Sequence, residues 1–329
     1  MKALIHENKE GMDGLSYRDV EPATQKSGEV RIRIKAAGLN HRDLSVLKRH
    51  QPTDPPFIVG SDGAGVVEAI GADVNTVSVG DEVIVNPGLG WQKNSDAPPK
   101  GFEILGFPDD GTFAENIVIA AKNVEPKPAH LTWEESGVLA LPALTAYRVL
   151  FTRARIEPNM KILIPGIGGG VATFLLQFAK AIGATVYVTS RSEEKRNKAL
   201  ELGANAAIDS HENWAEALHG EKMDVAIESI GATTFNESLD QLRRGGTMVT
   251  FGSSTDDQVQ LNIRKFFYGQ FNLLGSTMGS REELQAMLDF IKKHNIKPIM
   301  DQTFPLKDYE KGFKRMAEAA QLGKIGFTL

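Results

Sequence analysis

The chain has 329 residues, 41% hydrophobic and 24% charged, a globular composition that excludes a disordered polymer and suggests about two domains. Lys and Arg total 37 against 42 Asp and Glu, and the net charge of −5 gives no general attraction to nucleic acid or to an anionic membrane surface. Cysteine is absent, which removes disulfides, thiolate metal ligands and cysteine nucleophiles together.

The first residues carry no apolar stretch of signal-peptide length. The longest apolar stretch, residues 162–176, is interrupted by Pro165 and several glycines and falls short of the ~18 residues of a spanning helix. A cytoplasmic protein is expected. Residues 1–6 form an apolar run. Val30, Ile32, Ile34 and Ala36 alternate with Arg31, Arg33 and Lys35, the period of a half-buried strand. Residues 63–70 and 82–85 are strand-like, divided by Gly71, Asp73, Asn75, Gly80 and Asp81. Residues 86–111 are rich in Pro and Gly without periodicity and read as a long loop lying over another part of the chain.

The character changes near residue 130, where Thr132 and Glu135 form a capping box that opens a helix. From Lys161 onward short apolar strands alternate with helices: strands at 162–164, 185–189, 225–227, 247–251 and 273–274, helices at 169–182, 193–202, 214–218 and 235–242. Such repeated units predict an α/β domain, a doubly wound parallel sheet with helices on both faces. Ser280 and Glu283 form a second capping box. Leu284, Met287, Leu288 and Ile291 then share one helical face. A further helix at 307–320 and a closing strand at 324–328 complete the expected elements.

The strongest motif is the strand-turn-helix around residues 161–182. Gly166, Gly168, Gly169 and Gly170 with Val171 form a turn whose backbone can approach a pyrophosphate at the helix N-terminus. Two registers fit, Gly166-Gly168-Val171 and Gly166-Gly169-Ala172. The second is preferred because a small last residue permits close helix–strand packing. NAD-binding domains place an acid about 20 residues beyond the turn to hold the ribose 2′-hydroxyl. Here the second strand ends in Ser190 and Arg191, with Lys195 nearby. That donor set suits a 2′-phosphate, so NADPH is the expected cofactor.

Several segments together resemble the medium-chain dehydrogenase/reductase superfamily, and within it the zinc-free quinone oxidoreductase branch. They are Ala37-Gly-Leu-Asn-His-Arg-Asp43, Gly60-Ser-Asp-Gly-Ala-Gly-Val-Val67, Val79-Gly-Asp-Glu-Val83, Leu141-Pro-Ala-Leu-Thr-Ala-Tyr147, the glycine turn, Glu228-Ser-Ile-Gly231, Gly245-Gly-Thr-Met-Val-Thr-Phe-Gly252 and Gly323-Lys-Ile325. The resemblance implies a GroES-like, β-rich catalytic domain over residues 1–130 completed by 281–329. A Rossmann NADP-binding domain over 131–280 is inserted between them, with cofactor and substrate meeting in the cleft. It further implies cofactor contacts from Thr145, Ile230, Phe251, Gly252 and Lys324. A homodimer is expected, and Phe266, Phe267, Phe271, Leu273 and Leu274 read either as core or as its interface.

Zinc alcohol dehydrogenases of this superfamily hold zinc with Cys, His and Cys; the aligned positions carry Asn40, Ser61 and Leu141. These do not make a zinc site, and no metal is expected. Without a Lewis acid an unactivated ketone is a hard hydride acceptor, whereas a quinone or an α,β-unsaturated carbonyl delocalises the incoming charge. The expected activity is hydride transfer from NADPH to such an acceptor. Asn40 is the candidate donor to the acceptor oxygen, and Asp43 is a neighbouring candidate for the reaction or for the turn. Two other readings stay open: an alcohol dehydrogenase or aldehyde reductase with an unorthodox metal, and an NADPH-binding sensor without turnover.

Overall fold

A computed structural model describes all residues, Met1–Leu329. It divides into two units, Met1–Leu144 with Gly279–Leu329, and Thr145–Met278. The division falls after Leu144, inside the helix Ala140–Tyr147, rather than at residue 130. The reason is close packing in the first unit. The helix Trp133–Gly137 lies on the main β-sheet at backbone distance: a Cβ on Gly38 would meet Val138 Cα at 2.7 Å, and one on Gly137 would meet the Ala36 carbonyl carbon at 2.6 Å. Both expected capping boxes open helices, Trp133–Gly137 after Thr132 and Arg281–Lys293 after Ser280.

The first unit is the GroES-like one. Its spine is the strand Glu29–Leu39, antiparallel to Asp62–Ile70 on one side and to Asn116–Ala120 and Lys324–Thr328 on the other. The alternation read from the sequence is the physical one: Val30, Ile32 and Ile34 are buried, while Arg31 and Arg33 reach Glu68 on the next strand at 3.7 and 2.9 Å. The register sets Gly38 opposite Asp62 and Leu39 opposite Ile325. It therefore brings Asn40, Asp62 and Lys324 to one place although they are far apart in sequence. The helix His41–Arg49, which the sequence reading missed, starts there.

The Pro/Gly segment is built into this unit. It carries a two-stranded ribbon, Gly88–Leu89 with Glu103–Ile104. Trp91 is buried and its carbonyl accepts from Arg281 N at 2.9 Å, and Asn94 N donates to Glu282 at 2.7 Å.

The second unit is the Rossmann-like one. Its six parallel strands lie in the order Ala206–Asp209, Thr185–Ser190, Lys161–Ile164, Met223–Glu228, Leu242–Thr250, Asn272–Gly275. Chain order reverses between Lys161–Ile164 and Met223–Glu228, the switch point where open α/β sheets bind ligands at the carboxyl ends of strands. The helix Gly170–Ala181 is fixed there by Phe174, Leu175, Leu176 and Phe178, all buried. On the outer edge, Phe271 packs against the core, whereas Phe267 and Leu273 are 50% and 40% exposed and do not belong to it. No helix is long and apolar enough to cross a membrane.

Candidate active site

In the second unit the expected cofactor residues gather at the carboxyl ends of the parallel strands. Gly166 follows the strand Lys161–Ile164 with φ +72°, a conformation that favours glycine, and a Cβ there would meet Ile230 Cδ1 at 2.7 Å. Its N–H donates to Thr189 Oγ1 at 3.2 Å, and Ile167 N–H donates to the Thr189 carbonyl at 2.8 Å, so the turn is tied to the next strand. Gly169 is the N-cap of the helix Gly170–Ala181, with open space where a Cβ would project. Ala172 is buried in the first turn while Val171 is only half-buried, as the register ending in Ala172 requires. Free N–H groups at a helix start, bare glycine backbone and a sheet switch point together fit a dinucleotide pyrophosphate.

Ser190 ends the strand Thr185–Ser190 and its hydroxyl accepts from Ser192 N at 3.2 Å. Arg191 is exposed and its guanidinium meets no carboxylate. Lys195 lies in the first turn of the helix Glu193–Glu201, its N–H bonded to Ser192 Oγ at 3.3 Å. The neighbouring Arg196 is used otherwise, held at 2.8 Å by Asp209. Ile230, Phe251 and Gly252 follow the strands Met223–Glu228 and Leu242–Thr250. Thr145 is buried on the helix Ala140–Tyr147.

A residue to which the sequence reading gave no role of its own organises this end. Glu228 is fully buried, and its carboxylate accepts from Ile230 N at 2.6 Å, Gly231 N at 3.2 Å, Thr234 Oγ1 at 3.0 Å and Ser238 Oγ at 2.9 Å. It fixes the loop that carries Ile230. The signal was its place at the end of an apolar strand, where a lone acid needs internal donors.

In the first unit, Asn40, Asp62 and Lys324 form a buried cluster, at 6%, 0% and 2% exposure. Lys324 Nζ donates to the Leu39 carbonyl at 2.7 Å and to Asn40 Oδ1 at 2.6 Å, and stands 3.7 Å from Asp62. Asn40 Nδ2 donates to Asp62 Oδ2 at 2.9 Å and, more weakly, to the Gly38 carbonyl at 3.3 Å. The other Asp62 oxygen accepts from Leu141 N at 2.7 Å. Burial pushes the Asp62 carboxyl up and the Lys324 amine down, and each partner's charge opposes the shift. Lys324, expected at the cofactor, is an interior strut instead: strand register carries its ammonium into this cluster.

Of the two roles expected for Asp43, its contacts are those of the turn. Its Oδ2 accepts the Asn40 backbone N–H at 2.8 Å, closing the start of the helix His41–Arg49, and its Oδ1 is buried without a partner. Desolvation raises its carboxyl to about 6. Asp43 therefore acts on the site through Asn40 and is a positioning residue.

Two family models match the chain, the alcohol dehydrogenase GroES-like domain over residues 26–129 and the zinc-binding dehydrogenase over residues 170–293. A zinc-type alcohol dehydrogenase-like protein of Schizosaccharomyces pombe is 31% identical, with 99% of this chain and 98% of that protein covered. The chain belongs to the medium-chain dehydrogenase/reductase superfamily. A quinone oxidoreductase of Pseudomonas aeruginosa is 30% identical over 95% of each protein. The crystal structure of an NAD-dependent alcohol dehydrogenase matches with a TM-score of 0.93 at 32% identity over the whole of both chains. This medium-chain dehydrogenase/reductase is thus an oxidoreductase with a dinucleotide-binding fold.

The family's zinc does not fit the residues present. Asn40 has its amide in the cluster above, and Ser61 Oγ is bonded to Arg42 and to the Leu105 carbonyl, at 2.7 and 2.8 Å. Leu141 offers no side-chain donor atom, and no group of three or more His, Cys, Asp or Glu side chains is placed to hold a metal ion.

Proposed function

We propose that this protein reduces a quinone or an α,β-unsaturated carbonyl with NADPH and without zinc. The observation that carries the reading is the hydrogen-bonded cluster that Asp62 and Lys324 form around Asn40, one of the three positions where zinc alcohol dehydrogenases keep their metal ligands. NADPH, when bound, supplies the hydride. The start of the helix Gly170–Ala181 and the Gly166 turn hold the pyrophosphate, and Ser190 with Arg191 hold the 2′-phosphate.

The charge that develops on the acceptor oxygen needs a donor fixed in advance. The ammonium of Lys324 on Asn40 Oδ1 draws electron density through the amide and makes its Nδ2 hydrogens stronger donors. The Gly38 bond is the weaker of the two that Nδ2 makes, so its hydrogen is the one an acceptor oxygen can capture. Such a donor suits a delocalised enolate or hydroquinone anion and not a localised alkoxide.

The test is turnover. Chelator-treated protein with NADPH is expected to reduce a quinone and a neutral enone and to leave simple ketones and aldehydes almost untouched. Stoichiometric metal whose removal abolishes alcohol oxidation would falsify the reading. Cofactor choice is tested separately. The matched crystal structure is NAD-dependent, but Arg191 has no protein partner here. A charge-assisted bond of about 1.5–3 kcal/mol predicts at least roughly tenfold tighter NADPH than NADH, falling towards equality in Arg191→Ala. Titration of both cofactors reads this, and an unchanged ratio in the mutant rejects it.

A further inference from the structure

The guanidinium of Arg42 is partly buried between the helix His41–Arg49 and the ribbon segment, and its acceptors there are all neutral. Nη1 donates to Ser61 Oγ at 2.7 Å and to the Leu105 carbonyl at 2.8 Å, and Nη2 donates to the Ile104 carbonyl at 3.3 Å. No carboxylate lies within ion-pair distance. Arg153 likewise meets only a neutral acceptor, the Gly275 carbonyl, whereas the partly buried Arg196, Arg281 and Arg315 meet carboxylates on Asp209, Glu125 and Asp301. Asp43, Asp62 and Glu103 favour the charge of Arg42 only from a distance, so this desolvated cation has no carboxylate in direct contact.

Nη1 makes two of these bonds, Nη2 makes only the longest, and Nε makes none. The Nε/Nη2 edge, whose two N–H groups point the same way in a guanidinium, is therefore the least engaged. This protein shows what that edge accepts. On Arg18, Nε and Nη2 hold the two oxygens of Glu7 at 3.0 and 3.2 Å, and on Arg315 the same pair of nitrogens holds Asp301. Arg42 presents that fork already oriented by Ser61 and the two carbonyls, two residues from Asn40.

From this geometry we infer that Arg42 is an oxyanion-recognition residue for the substrate: the acceptor is an enone or quinone that also carries a carboxylate, bound on the Nε/Nη2 edge. The inference rests on the reading above and narrows its substrate class. The carboxylate, not the reacting carbonyl, pairs with Arg42, leaving the carbonyl oxygen to Asn40.

The experiment compares an acyclic enone bearing a terminal carboxylate with its own methyl ester, under the same NADPH concentration. Wild type is expected to favour the acid over the ester by about tenfold or more in kcat/KM. Arg42→Met is expected to bring that ratio close to one. Arg42→Lys keeps the charge without the fork and is expected to lose most of the preference.

A second arm needs neither turnover nor a mutant. The saturated keto acid and its ester are titrated into the NADPH complex and followed by thermal shift, where the acid alone should bind measurably. Equal kcat/KM and equal binding of acid and ester in wild type overturn the inference. So does an Arg42→Met protein that keeps the acid preference, or one whose only defect is weaker NADPH binding, because the fork then serves the cofactor's phosphates. Selective keto-acid binding without turnover of any acceptor upholds the anion site and removes the proposed reaction.

Discussion

Lys324→Met is expected to destabilise the first unit by about 3–5 kcal/mol, the usual loss when one partner of a buried ion pair is removed. Methionine fills a similar volume, so the effect is not a cavity. Asp62 is fully buried and would keep its carboxylate with only Asn40 Nδ2 and Leu141 N as donors, while the Leu39 carbonyl and Asn40 Oδ1 lose theirs. The double variant Asp62→Asn/Lys324→Met carries no buried charge at this place. It is expected to recover part of the loss, because the penalty lies in the uncompensated carboxylate rather than in the absence of a bond. Denaturant unfolding at neutral pH measures both. A single variant within about 1 kcal/mol of wild type would mean that water reaches Asp62 and that the cluster is not the dry substitute for a metal described above.

The same cluster shows where sequence reading reached its limit. The strand alternation at residues 30–36, the two capping boxes and the glycine turn are local patterns, and each was legible because its partners lie within a few residues. Asn40 reads from the sequence as a donor to the acceptor oxygen, with no sign of what else it binds. Its bonds to Asp62 and Lys324 span 22 and 284 positions and arise only from the pairing of the strand Glu29–Leu39 with two others. The Gly-Ser-Asp-Gly segment at 60–63 looks like turn chemistry, yet Asp62 begins a buried strand. The helix after Asn40 escaped notice because its capping acid is an Asp and its first turn carries His and Arg instead of an apolar face. The Pro/Gly segment lacked periodicity for a different reason: it is fixed by Trp91, by backbone bonds and by Glu282, contacts that leave no repeating signature.

Asp43 supplies the second large effect, and its sign is opposite to that of a surface carboxylate. The folded chain raises the Asp43 carboxyl from 3.8 to about 6, chiefly by desolvation, with Arg42 and the Asn40 N–H pulling the other way. A raised acid favours the folded state when protonated. Its full contribution is present below the unfolded value and is lost as pH rises through about 6. At 1.36 kcal/mol per unit the whole loss comes to about 3 kcal/mol, of which roughly 2.4 kcal/mol falls between about pH 4 and pH 7. Asp43→Asn is neutral at every pH, and its amide oxygen can take over the Asn40 N–H that Oδ2 now accepts. The variant is therefore expected to be more stable than wild type above pH 6 by up to about 3 kcal/mol, with the advantage shrinking steadily towards pH 4. Unfolding free energies measured side by side across that range give the difference curve directly. A difference that does not change with pH would show that Asp43 titrates alike in the folded and unfolded chains. A variant less stable than wild type at pH 8 would show that the charged carboxylate is needed, through Lys324 or Arg42, to hold the start of the helix His41–Arg49 in place.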